Sequence, residues 1–311
     1  MSDDTPSEEV SRVTYPLPSR NKAASTTSPP KKSIPTITLA DEDFEESPDP
    51  IQKKAVTQAE TDPNYISVDL PSKFYFYGGL KTLSVSPVKG SHQAKFHRAA
   101  KLESTKLAVE AVTSLLGDNV PAEYLTTPDF FWLLYYLRVN FYPENSLTYR
   151  AICMNPTHLS QVQAGEKTQE SLVTVAIVKK SELKESLLSK ESISIMESVD
   201  QSAFNALGYK LTAPRMKDSI ELEELVDLPD FQEIEFLADY AGCLARLDGE
   251  WVPLTKRIET VRELTTFQIK DLETYLTAAT NYGVEETVST RCKECGAVVE
   301  TEVSITAHDF L

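Results

Sequence analysis

"VEETVSTRCKECGAVVETEVSI", residues 284–305, places two cysteines three positions apart between two runs rich in β-branched residues. Strand, C-x-x-C-G, strand describes a zinc knuckle: the tight turn aims both sulfurs at one ion, and Gly296 supplies the positive-φ position that finishes it. A thioredoxin-type redox pair would instead sit at the start of a helix, where the dipole lowers the thiol pKa. Cys295 is followed by glycine and valines, so metal ranks above redox.

Two thiolates fill only half of a tetrahedral shell. The best source of the rest is "AICMNPTHLS", residues 151–160, which carries Cys153 and His158 in a second turn after a β run. Cys292, Cys295, Cys153 and His158 would together make a closed Cys3His site for structural zinc. Cys243, on the apolar face of "ADYAGCLARL", reads as a buried thiol. His92, His97 and His308 have no ligand spacing and read as helix-surface or tail residues.

Composition narrows the function classes. Acidic residues outnumber basic ones by 47 to 31, a formal net charge of −16. Such a charge repels polyphosphate, and no segment carries a basic run interleaved with aromatics, so no nucleic-acid partner is expected. The opening "MSDDTPSEEV" lacks a basic start leading into an apolar stretch, so it is no secretory signal. The longest apolar run, Phe130 to Leu137, has eight residues. Spanning a bilayer takes about 20 as a helix, so no membrane span is expected. Four cysteines, two of them in one C-x-x-C, fit a metal site and free thiols in a reducing compartment better than a disulfide framework.

Glycine is scarce, with 10 in the chain and none before Gly78. Both common phosphate-cradling loops, the G-x-S-x-G elbow and H-E-x-x-H are absent. No catalytic residue is nominated and no small-molecule substrate is expected. A metal-dependent hydrolase would need an open coordination position and a general base, which no His-rich constellation supplies.

Residues 1–66 hold nine of the 18 prolines, Ser/Thr clusters and the acidic knot "DEDFEESPDP". They read as an extended or disordered N-terminal arm, because they cannot bury enough apolar surface to offset their ordering entropy. Val13, Tyr15, Ile34, Ile37 and Leu39 are candidate anchors against a neighbour. Residues 67–180 read as an α+β core. Two β runs flank Gly78-Gly79 as a hairpin, and one long helix follows from Ser91 to a stop at Gly117. A second helix is capped by Thr127 and led by Pro128, with Asp129 complementing its dipole. Its body, "DFFWLLYYLRVNFY", is apolar nearly all round, so it is either a central buried helix or one covered by a partner, and a core role is favoured. Strands follow at "SLTYRAICM" and "SLVTVAIV", with a polar turn region between them.

Residues 181–283 read as mainly helical. Positions 218–239 contain nine Asp or Glu and no Lys or Arg, the solvated face of an amphipathic helix. Two helices follow, the second opened by the capping box Thr265-x-x-Gln268. Residues 284–311 close the chain as the C-x-x-C hairpin packed on the core. The expected class is α+β: a helical core, small antiparallel β elements, a C-terminal zinc-ribbon-like hairpin and the preceding arm.

Four stretches taken in order, "DLPSKFYFYGGLKTLSVSPVKG" (69–90), "LTTPDFFWLLYYLRVNFYP" (125–143), "LADYAGCL" (237–244) and "CKECG" (292–296), resemble the baseplate proteins of T-even-type contractile-tailed bacteriophages. The resemblance covers most of residues 66–311 and none of the arm. It implies a virion or assembly component, in the host cytoplasm during assembly and then in the tail baseplate. Such a protein binds other tail and baseplate proteins, with its arm along neighbouring subunits, and performs no catalysis. A zinc-ribbon adaptor on host transcription or translation machinery is the alternative, although acidic residues dominate both hairpin strands.

Overall fold

The computed structural model describes residues 65–117, 120–142, 146–179, 185–284, 287–302 and 305–310. Apart from Tyr65 and Ile66, the expected N-terminal arm lies outside them.

The chain enters through β1 (Ile66–Val68), which pairs antiparallel with β2 (Leu83–Val85), Ile66 opposite Val85. The aromatic stretch between them, expected from the sequence to form part of a hairpin around Gly78-Gly79, contains no strand. Successive turns run from Leu70 to Leu80, each closed by an amide reaching the carbonyl three residues back, and Lys73 and Phe74 adopt positive φ of 52° and 61°. The turn is held locally, with the Phe74 amide donating to Ser72 Oγ at 3.2 Å, and from a distance. Asp129, from 57 residues away in sequence, accepts the Ser72 amide at 3.1 Å and the Tyr77 hydroxyl at 2.7 Å, and this pulls the aromatic segment inward.

The single helix expected from Ser91 to Gly117 is two. Helix α1 (Gly90–Leu102) ends at Glu103 in the left-handed region, and Ser104 then caps α2 (Thr105–Thr113) by accepting the Leu107 amide. The break lets Phe96, Ala99 and Ala100 of one helix and Ala108, Ala111 and Val112 of the other bury against a common core.

Helix α3 (Thr127–Phe141) runs through that core. Phe130, Trp132, Leu133, Leu134 and Leu137 are buried, as the apolar sequence requires. Its N-cap is Thr126, one residue earlier than expected, and Asp129 does more than face the dipole. Fully buried, its carboxylate also accepts the Thr126 hydroxyl at 2.9 Å, while the Tyr282 hydroxyl donates to Thr126 Oγ1 at 2.7 Å. Burial pushes the Asp129 carboxyl above the usual carboxylate range, against the pull of its hydrogen bonds.

Strands β3 (Ser146–Ile152) and β4 (Val173–Lys179) form an antiparallel ladder with Ile152 opposite Val173. The segment joining them, expected as polar turns, contains α4 (Pro156–Gln163). Asn155 caps this helix by accepting the Thr157 and His158 amides, with Pro156 in the first turn where its missing N–H costs nothing.

A mainly helical region follows. It contains β5 (Glu185–Ser186), α5 (Lys190–Ser198), α6 (Ser202–Ala206), β6 (Tyr209–Leu211), α7 (Met216–Glu223), α8 (Phe231–Gly242), β7 (Leu244–Arg246), α9 (Leu254–Arg262), α10 (Thr266–Thr280) and β8 (Gly283–Val284). Pairings are short and antiparallel, β5 with β8 and β6 with β7. The Thr265–Gln268 capping box forms as read. Leu188, Met196, Phe204, Ile234, Leu272 and Tyr275 belong to the second core of this region.

The last elements are β9 (Thr287–Arg291) and β10 (Val298–Glu302), paired antiparallel with Arg291 opposite Val298. The tail then returns to the first core, where Phe310 stacks on Phe96 with ring centroids 4.1 Å apart. Helices with small antiparallel sheets make this an α+β fold. No helix among the described residues is long and apolar enough to cross a membrane.

Candidate metal centre

The turn between β9 and β10 is tight because its backbone bonds to itself. The Gly296 amide donates to the Cys292 carbonyl and the Cys292 amide to the Ala297 carbonyl, both at 2.9 Å. Gly296 sits at φ +72°, the conformation that favours glycine. Both cysteines therefore leave the hairpin from one compact corner.

The facing corner is built by β3 and α4. The Cys153 amide, one residue past β3, donates to the Leu172 carbonyl at 2.8 Å, which holds that corner against the start of β4. The Asn155 cap then directs the first turn of α4 so that His158, fully buried, points inward. Across the two corners Thr174 Oγ1 donates to the Arg291 carbonyl at 3.3 Å. Ala151, Cys153, Cys292 and Val299 close a small apolar cluster around the sulfurs. Outside it, Lys167 pairs with Glu294 at 3.2 Å, an exposed contact worth little in stability.

All four residues nominated from the sequence converge. One donor atom each from Cys153, His158, Cys292 and Cys295 lies within 4.8 Å of the others, an arrangement able to hold a metal ion. Cys153 Sγ is 3.5 Å from Cys295 Sγ, and Cys292 Sγ is 3.6 Å from His158 Nδ1. Three of the four are buried and Cys295 is exposed. His92, His97 and His308 are not part of the group. Cys243 is buried at the end of α8, as expected, and burial pushes its thiol well up.

The thiols are not electrostatically alike. Burial opposes ionisation of Cys292, but the amides of Cys295 and Glu294 and the neighbouring thiols outweigh it and bring this thiol down to about 6. Burial pushes the Cys153 thiol up.

One member of the site was missed in the sequence. Ser171 Oγ donates to the Thr168 carbonyl at 2.6 Å and lies 3.1 Å from His158 Nε2. With its proton committed to the carbonyl, the hydroxyl accepts from Nε2–H, which leaves the Nδ1 lone pair facing the sulfurs. A ligand histidine ordinarily has such a partner on its other nitrogen. Nothing in the spacing of "THLSQVQAGEKTQES" marks that serine, because the contact crosses 13 residues of helix and turn. Ser171→Ala is expected to weaken metal binding by about 10–100-fold without loss of fold, measured by competition with a chromogenic chelator.

A comparison with protein-family models, curated proteins and solved structures finds no match for this chain.

Proposed function

We propose that Cys153, His158, Cys292 and Cys295 hold one zinc ion as a structural clip, in a protein that works by binding other proteins and not by catalysis. The observation that carries this reading is the convergence of one imidazole and three thiols from two backbone corners. In a tetrahedral zinc shell two sulfurs about 2.3 Å from the ion lie about 3.8 Å apart, and a sulfur and an imidazole nitrogen about 3.5–3.6 Å apart. The 3.5 Å between Cys153 Sγ and Cys295 Sγ and the 3.6 Å between Cys292 Sγ and His158 Nδ1 lie near these edges. Four protein donors complete the shell and leave no position for a reactive water, which is the mark of a structural zinc site. The β9–β10 hairpin then acts as a zinc-ribbon-like element fastened to the β3–β4 ladder.

Two further observations support a binding role. The outward face of β3–β4 exposes Ile152, Val173, Val175 and Ile177, with Met154 beside them. Thr148 and Arg150 of β3 share that face, opposite Ile177 and Val175, and exposed apolar residues bordered by polar ones are a feature of contact surfaces. The second support is the sequence resemblance, from which the biological assignment follows: a structural or assembly component of a phage tail baseplate, made in the host cytoplasm and built into the virion. Its partners are the neighbouring tail proteins.

The test is made on particles and on protein together. Metal analysis of the purified chain should give one zinc per molecule. Mass spectrometry and antibody labelling of purified tails should find the chain at the baseplate. Zinc without any tail association, but with stable association to polymerase or ribosome, would leave the clip standing and replace the baseplate assignment with the adaptor reading.

A further inference from the structure

The phase of the β3–β4 ladder decides what its outer edges offer. The Cys153 amide donates to the Leu172 carbonyl, and these two residues continue the register in which Ile152 faces Val173. Bonded and non-bonded facing pairs alternate along an antiparallel ladder. Ala151 with Thr174 and Tyr149 with Ala176 are therefore the next bonded pairs, so the amides and carbonyls of Val173, Val175 and Ile177 point away from β3. Among the described residues no strand pairs with that edge. The same three residues carry exposed side chains, whereas Thr174 and Ala176 are buried.

Open edges are ordinarily blunted by a charge, a proline or a bulge, because their free backbone groups template pairing with another chain. The β3 edge is blunted. Thr148, Arg150 and Ile152 turn their backbone outward there, with Arg150 at the centre. From Val173 to Val178 the β4 edge has neither charge nor proline, and its register is unbroken.

We propose that β4 pairs antiparallel with β4 of a second copy of this chain, about a two-fold axis at Val175, joining two ladders into one four-stranded sheet. Charge selects this occupant and this register. Two chains of net charge −16 repel each other, so a self-contact has to avoid acidic surface, and β4 contains no acidic residue. The axis at Val175 sets Val173 opposite Ile177 on both sides and gives every outward amide and carbonyl of the three residues a partner. Moving the axis to Ala176 would set Val173 against Lys179, and the matching axis on β3 would set Arg150 against its own copy, a like-charge pair. Self-pairing also runs the exposed apolar row of one copy into that of the other. It rests on the protein-binding role proposed above for this sheet and names the partner.

The experiment is sedimentation equilibrium of the purified full chain over a range of concentrations. Two strand edges make a small interface, so dimers are expected at about 10–100 μM, and their fraction should rise with sodium chloride as the net repulsion is screened. Val175→Pro removes the central outward donor without touching the bonds to β3, and should weaken dimerisation about 10–100-fold. Val175→Lys, which places like charges at the axis, should do the same and covers the case in which proline disturbs the strand. Ile152→Lys, on the same apolar face but the other strand, should leave the dimer intact. Hydrogen exchange should show the Val173, Val175 and Ile177 amides becoming protected as concentration rises, with Thr174 and Ala176 protected throughout. A monomer at every concentration, a dimer indifferent to both Val175 variants, or a dimer lost with Ile152→Lys would each overturn the self-pairing. So would a monomeric free chain whose three outward amides are protected only in purified tails, which gives the edge to a strand of a different protein. Zinc content and tail association are measured separately and stand or fall on their own.

Discussion

Cys292→Ser is expected to abolish metal binding and to lower the unfolding free energy by about 4 kcal/mol when free zinc stands about a thousandfold above the dissociation constant. The magnitude follows from mass action, since the metal stabilises only the state that assembles its ligands. Cys292 is the member whose sulfur faces His158 Nδ1 at 3.6 Å, and a serine hydroxyl there would stay protonated and bind zinc poorly. Urea unfolding with and without a chelator gives the comparison. The chelator should bring wild type down to the level of the variant and leave the variant unmoved. Far-ultraviolet dichroism should change little, because neither of the two larger cores contains a clip residue. A wild type indifferent to the chelator would refute the site.

Asp218→Asn should be of similar size for a different reason. The Arg257–Asp218 pair is buried, with side chains 3% and 7% exposed, and Asp218 Oδ2 also accepts the Arg215 amide at 2.8 Å. Removing one charge strands the other in a medium that solvates it badly, at a cost of about 3–5 kcal/mol. The double variant Asp218→Leu, Arg257→Met removes both and should recover much of the loss, because the pair's own desolvation penalty goes with it. Equal destabilisation in single and double variants, read from urea midpoints, would mean that packing dominates. Gly242, whose added Cβ would lie 3.0 Å from Pro214, shows how little room this corner leaves.

Local chemistry made the cluster of three cysteines and one histidine legible in advance. C-x-x-C-G between two β-branched runs specifies a knuckle, and Cys153 with His158 was the one other pair with compatible donors. The path to His158 was misread, because Asn155-Pro156 opens a helix there and not a further turn, although both are favoured helix-start residues. Ser171 could not be read, since its role depends on which carbonyl takes its proton. The first core divides in the same way. "DFFWLLYYLRVNFY" announces a buried helix through its composition, whereas the turns at Lys73 and Phe74 answer in part to Asp129 through hydrogen bonds remote in sequence. The break at Glu103-Ser104 carried a visible cap signal in Ser104, overruled by a helical pattern that continues across it. Phe310 stacking on Phe96 had no local signature.

The proposed clip draws its ligands from stretches of chain that are synthesised far apart in time. Its two corners are separated by 142 residues between Cys153 and Cys295, so at the usual 5–20 residues per second the first half of the site waits roughly 7–30 s for the second. During that interval Cys153 and His158 offer an ion only two donors, too few to retain it against cellular competitors. The thiol that will later be buried is meanwhile open to oxidants and to stray partners. Growth conditions that starve the cell of zinc or raise peroxide should therefore damage this protein while it is being translated far more than after it has folded.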